Sequence, residues 1–156
     1  MHIVDRTPEF AAEMTGWRYP EPYQSYDFVG ADPAYFTNPA NGFHALVDDA
    51  NKLLGFRSFG PDGRVPGGTY DDSALDTGGG LRPDLTGLGR GLGRQAILTG
   101  LTYGRERFHP AAFRVTVAAH NTRARHVVES LGFEHTATFT ATTDGTEFHI
   151  LVLRVD

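Results

Sequence analysis

Two apolar runs, Phe43 to Val47 and Leu53 to Phe59, are parted by Asp48, Asp49, Ala50 and Asn51, the pattern of a strand hairpin. A brief first strand, His2 to Asp5, precedes them, and Pro61 to Gly68 reads as a loop. From Leu75 to Leu81 the positions alternate, with leucine, threonine, glycine and leucine on one face against Asp76 and two glycines on the other. This predicts a strand of unusually bare backbone, open to close approach by another group. Pro83 ends the strand, and the run Thr86-Gly87-Leu88-Gly89-Arg90-Gly91-Leu92-Gly93-Arg94 leads into a segment where Ile97, Leu101, Gly104 and Phe108 recur at helical spacing. Phe113 to Ala119 alternates again, turning Phe113, Val115 and Val117 inward. Asn121 can cap a helix with an apolar face of Ala124, Val127, Val128 and Leu131, closed by Gly132 and Phe133. Finally, Thr136 to Thr142 and Phe148 to Val155 flank Asp144-Gly145, a strong hairpin signal. The order is three strands, then βαβα, then a β-hairpin.

The segment before Pro39 has a different texture. Trp17, Tyr19, Tyr23, Tyr26, Phe28, Tyr35 and Phe36 stand among prolines and polar residues, which suggests short helices and turns. The 156 residues fit one domain, with residues 1–70 and 71–156 as differently patterned parts. A net charge of -5 without a basic block argues against nucleic acid as a partner. The absence of cysteine excludes disulfides, thiolate metal sites and a cysteine acyl-enzyme. The seven histidines show no paired ligand spacing, so no metal is expected. No serine lies in a nucleophile elbow. With no apolar run long enough to span a bilayer and no signal-type start, the expectation is a cytoplasmic protein that does not engage the membrane.

The glycine run carries the chemistry. Amides at a helix start lack intrahelical partners, the helix dipole places partial positive charge there, and glycines let an anion come close. Arg90 and Arg94 can add charge-assisted contacts, which favours a pyrophosphate over a carboxylate. A flexible surface turn is the plainer reading of the same glycines. A Walker loop is ruled out because Lys52 is the only lysine. Gly91-Leu92-Gly93-Arg94-Gln95-Ala96 fits the looser dinucleotide pattern, but the next strand ends in His120-Asn121 where an acidic ribose-binding residue is expected. A nicotinamide-dinucleotide oxidoreductase is therefore the lesser alternative.

Leu81-Arg82-Pro83 with the glycine loop is similar to the R/Q-x-x-G-x-G/A loop of the GNAT acetyltransferases, and Asn121-x-x-Ala124 followed by Leu131-Gly132-Phe133 resembles that family's second motif. The resemblance is strong from Leu75 to Phe133 and implies an α/β (α+β) fold. Its mixed, mostly antiparallel central sheet would have about six to seven strands flanked by about four helices. It also implies acetyl-CoA as co-substrate, with the pantetheine arm lying between splayed fourth and fifth strands. A backbone N–H near Leu81 and Arg82 would then stabilise the oxyanion, and the amides of Leu88, Gly89, Arg90, Gly91, Leu92, Gly93 and Arg94 would hold the pyrophosphate. From Pro83 to the last loop glycine, the chain is two residues longer than the common family pattern, leaving the register open.

The implied function is transfer of acetyl to a primary amine of a small molecule or peptide. The family often places a thiolate-protonating tyrosine seven residues after the motif asparagine, and here that position is Val128. Tyr103, His120 or water can replace it; otherwise the chain keeps binding and loses catalysis, as a non-catalytic acetyl-CoA sensor or partner-binding module. Asp76 matches a position where some members carry the base, with a solvent-facing strand residue as the plainer reading. His120 can instead relay the proton or pack on the co-substrate. Asn121 can serve as helix cap, as co-substrate ligand, or as both. Trp17, Tyr19, Tyr23 and Tyr26 are candidates for an acceptor pocket, since aromatic faces attract ammonium groups, and core packing is the alternative for most of them. His149 can edge the site or be exposed. The exposed sheet edges of such folds permit a homodimer.

Overall fold

The computed structural model describes residues 1–28 and 30–155. Its strands are β1 (His2–Val4), β2 (Phe43–Val47), β3 (Leu53–Phe59), β4 (Leu75–Leu81), β5 (Ala112–Ala118), β6 (Glu134–Thr140) and β7 (Glu147–Arg154). Its α-helices are α1 (Pro8–Thr15), α2 (Pro33–Thr37), α3 (Leu92–Phe108) and α4 (Thr122–Ser130). The sheet order is β1-β2-β3-β4-β5-β7-β6. The pairs β1–β2, β2–β3, β5–β7 and β6–β7 are antiparallel. β4 and β5 run parallel, with Leu75 opposite Phe113 and Asp76 opposite Arg114. A crossover is required between parallel neighbours, and α3 supplies it. The mixed, mostly antiparallel sheet with four helices is the fold class that the sequence implied.

The chain forms two compact units, Met1–Ser58 with Gly79–Gly100, and Phe59–Gly78 with Leu101–Asp156. In the first, Ala11, Met14, Trp17, Phe36, Phe43, Ala45, Val47 and Leu53 make a core. Thr7 caps α1 by accepting from Phe10 N, and Pro8 presets its first turn. A smaller core joins Leu46, Leu81 and Ala96, with Leu85 and Leu92 packed against it. This holds the end of β4 and the start of α3 on a common apolar base.

In the second unit β5 is buried on nearly every residue. The alternation expected for it is lost because both faces are covered. Gly104 of α3 admits the ring of Phe113, where a Cβ would meet Cε1 at 2.8 Å. α4 starts at its Asn121 cap, whose Oδ1 accepts from Ala124 N at 3.2 Å, and Val128 is the buried residue of this helix. The closing hairpin departs from the expected span: β6 ends at Thr140 and β7 opens at Glu147. Asp144 there accepts from Thr146 N at 3.0 Å and Gly145 has φ 77°. A six-residue connection, residues 141–146, therefore stands where the expected strands left the five residues 143–147.

Candidate active site

The glycine loop follows directly from β4. Pro83–Leu85 makes a single 3-10 turn, closed by Thr86 Oγ1 donating to Pro83 O at 2.7 Å, and takes up chain between strand and loop. Gly87, Gly89 and Gly91 then adopt φ of 68°, 70° and 70°, the left-handed region in which an L side chain is strained. Leu88, Gly89, Arg90 and Gly91 are exposed. A Cβ added at Gly89, Gly91 or Gly93 would meet nothing within 4 Å. These glycines therefore serve backbone direction and access, and internal packing does not demand them. The first bond of α3 is Gln95 N to Gly91 O at 3.0 Å, so the amides of Leu92 and Gly93 lie ahead of the helical ladder. No acidic residue stands in the first turn of α3. Bare amides, left-handed glycines and the positive end of a 17-residue helix suit a pyrophosphate.

β4 is bare as expected, and what approaches it is the protein itself. Beside Gly79 lies the Arg57 side chain, which also fills the space at Gly100. Arg57 is buried, and that burial lowers its pKa to about 10. Beside Gly80 lie the Phe56 ring and the Tyr19 hydroxyl. Tyr19 donates to Leu81 O at 2.6 Å. Arg82 N donates to Leu54 O at 2.8 Å, while the Arg82 guanidinium is engaged by Leu53 O at 3.0 Å and Asp84 at 2.6 Å. Arg82 thus fixes the strand end through its side chain as well as its backbone.

Of the aromatic candidates, Tyr19, Tyr23 and Tyr26 are brought together. Tyr19 meets Tyr26 edge-on at 6.4 Å, and Tyr23 stacks on Tyr26 at 6.3 Å. Trp17 differs from the expectation: at 6% exposure it belongs to the core beside Met14 and Phe36, leaving no face for a ligand. Large apolar surface gains more from full burial than from lining a wet cleft.

In the second unit, Asp76 is 3% exposed, which corrects the solvent-facing reading. Arg114 donates to its two oxygens at 2.6 and 2.9 Å, and Arg64 adds a third bond at 2.8 Å. Both guanidinium groups also lie over the Tyr70 ring, at 5.1 and 5.6 Å. Neither arginine was anticipated. The signal was available: Asp76 and Arg114 each interrupt an otherwise uncharged strand at the second or third position, where parallel register sets them opposite one another. Tyr103 packs against Phe59 and Phe108, with centroids at 5.6 and 6.5 Å. His120 is exposed in the turn after β5, and Asn121 caps α4. His149 is mostly buried, its ring tilted against that of His135 with centroids 4.7 Å apart and Glu147 at 3.7 Å. Among the described residues no group of three or more His, Asp or Glu could hold a metal ion, and no helix is long and apolar enough to cross a membrane.

The family model described as acetyltransferase (GNAT) family matches residues 8–133. Among solved structures, a point mutant of spermidine N-acetyltransferase from Vibrio cholerae superposes with a TM-score of 0.70 at 17% identity, over 99% of this chain and 95% of that one. The same organism's enzyme in complex with CoA and spermine gives 0.67 at 16%, covering 97% and 94%. A putative acetyltransferase from Salmonella typhimurium, solved with its cofactor acetyl-CoA, gives 0.67 at 20%, covering 99% and 93%. At these identities the likeness is one of fold. By sequence, no curated protein matches the chain.

Proposed function

Taking as premise that this chain belongs to the GNAT acetyltransferase family, we propose that it transfers acetyl from acetyl-CoA to a primary amine of a small molecule or peptide. The observation that carries this reading is the loop itself, three left-handed glycines opening a helix with no acidic residue in its first turn. The amides from Leu88 to Arg94 hold the pyrophosphate, with Arg90 and Arg94 adding charge. The Leu81 N–H donates to the acetyl oxygen as the carbonyl becomes tetrahedral, where a fixed backbone dipole stabilises developing charge without reorganising. The amine nitrogen forms the new C–N bond in that same step and gives up its extra proton, the C–S bond then breaks, and the thiolate takes up a proton.

The acceptor enters as an ammonium and must lose a proton before attack. Asp76 is a poor choice for that step, because both its oxygens are already engaged by arginine donors. His120, exposed in the turn after β5, is a candidate relay for that proton, and turnover of His120→Ala tests it. Tyr19, Tyr23 and Tyr26 wall the acceptor pocket. Their faces suit an ammonium on an apolar or aromatic body. Thermal unfolding with acetyl-CoA, CoA, NAD and NADP in separate samples tests the co-substrate, since a ligand of the native state raises its stability. A rise with acetyl-CoA or CoA supports the reading, and a rise only with a nicotinamide dinucleotide overturns it. Thiol release with an amine panel then tests turnover.

A second reading, a non-catalytic acetyl-CoA-binding module, is favoured by Val128, which is 2% exposed where the family often has its tyrosine. Binding without turnover on any amine would support it.

A further inference from the structure

Tyr19 is anchored at both ends. Its backbone N–H donates to Asp27 Oδ1 at 2.7 Å, and its hydroxyl donates to Leu81 O at 2.6 Å across 62 residues of sequence. The next peptide group is also engaged, since Arg82 N donates to Leu54 O at 2.8 Å. In an extended strand a residue's own N–H and C=O point to one edge, and the following N–H points to the other. Arg82 N faces β3, so the carbonyl and the N–H of Leu81 both face away from β3. The Tyr19 hydroxyl therefore sits on the strand edge that carries the Leu81 donor. Gly80 lies beside this bond: a Cβ there would touch the Tyr19 oxygen at an ordinary 3.6 Å and press on the Phe56 ring at 3.2 Å.

We propose that Tyr19 is a positioning residue for acyl transfer. By holding the Leu81 carbonyl it sets the direction of the Leu81 N–H, and through its contact with Tyr26 it keys the acceptor wall to that donor. The inference rests on the acetyl-transfer reading above. A proton-donating role for Tyr19 fits less well. Burial, and after it the nearby Asp27 charge, pushes its phenol pKa upward, and its proton is already committed to a carbonyl. The hydroxyl acts as a fixed donor that stays protonated throughout.

The test is Tyr19→Phe in the full chain, which keeps the ring and removes the one hydrogen bond to Leu81. The expected result is a kcat about ten- to hundredfold lower, the scale set by a small misplacement of a reacting group. The KM for acetyl-CoA and the acetyl-CoA thermal shift should stay as in the wild type. Asp27→Ala retains the phenol and loosens its backbone anchor, so it should lower kcat in the same direction by less, and it serves as the measurement should Tyr19→Phe not fold. Wild-type kcat in both variants, or a loss confined to stability, would overturn this inference alone. A wild-type protein that shows no acetyl-CoA shift would overturn the acetyl-transfer reading and this inference with it.

Discussion

Asp76 and Arg114 face each other across parallel strands as a bidentate pair, with Nε to Oδ1 at 2.6 Å and Nη2 to Oδ2 at 2.9 Å. Arg114 reaches further, to Asp71 O at 2.8 Å and Asp71 Oδ1 at 3.2 Å, while Arg64 shares Asp76 and also approaches Asp72 at 3.6 Å. One buried carboxylate thus ties the chain ahead of β4 to β4 and β5. Removing it leaves the Arg114 charge, 6% exposed at the side chain, without its main partner.

Asp76→Ala should therefore lower stability by about 3–5 kcal/mol, the range for breaking one side of a buried ion pair. Urea unfolding checks this. Asp76→Asn separates the structural role from a catalytic one. Under conditions where this variant is folded, it should retain turnover with an unchanged shape of the pH–rate profile. Abolished turnover in a variant of wild-type stability would restore Asp76 as the base.

Gly91 has φ 70° and open space beside it, so the cost of a side chain there is backbone strain alone. Gly91→Ala should cost about 1–2 kcal/mol locally and weaken acetyl-CoA binding. Gly91→Asp adds a like charge where the pyrophosphate is expected and should abolish the acetyl-CoA thermal shift while the protein remains folded. Calorimetric titration with CoA measures both. Equal affinity in the aspartate variant would move the pyrophosphate away from this loop.

Gly55 illustrates the opposite kind of glycine. A Cβ on it would run into the carbonyl of Gly80 and lie 3.2 Å from the Cα of Leu81, both backbone atoms. Two main chains cannot both yield without shifting β3 against the end of β4. Gly55→Ala should be destabilising by at least the ~1–3 kcal/mol of an overpacked core, more than Gly89→Ala, whose Cβ meets nothing within 4 Å. Guanidinium melts of the two variants, compared side by side, measure the difference. An unaltered midpoint for Gly55→Ala would mean that the strands separate more readily than this packing implies.

Much of this architecture was legible in the sequence, because β2 and β3 are apolar runs bounded by turn residues, β4 alternates up to Pro83, and α4 carries its own cap and stop. The open glycine loop at the start of α3 was legible for the same local reason, and its left-handed φ values were not. Arg57 and Arg114 were not, since an arginine inside an apolar strand reads as a solvent-facing residue until its partner strand is known. The solvent-facing reading of Asp76 fails through that same gap. Trp17 parts from the tyrosines by its burial, because aromatic spacing does not say which ring faces inward. The bond from Tyr19 to Leu81 spans 62 residues, and no short-range pattern encodes it.

Val128 raises the question of which group protonates the leaving thiolate. It is the buried residue of α4 at 2% exposure, and Phe133 N donates to its carbonyl at 3.1 Å. Restoring the family's usual residue by Val128→Tyr would insert a ring into a filled site, at a cost of about 1–3 kcal/mol, and would need a partner for its hydroxyl. The expected outcome is a lower unfolding midpoint and no gain in kcat, because the helix presents this position to the core. The pH–rate profile of the variant carries the decision. A new alkaline limb, where the phenol loses its proton, together with a faster rate would show that the position reaches the thiolate and that the wild-type chain turns over slowly for want of this acid. A slower or unchanged rate with the wild-type profile would place the proton with solvent or His120.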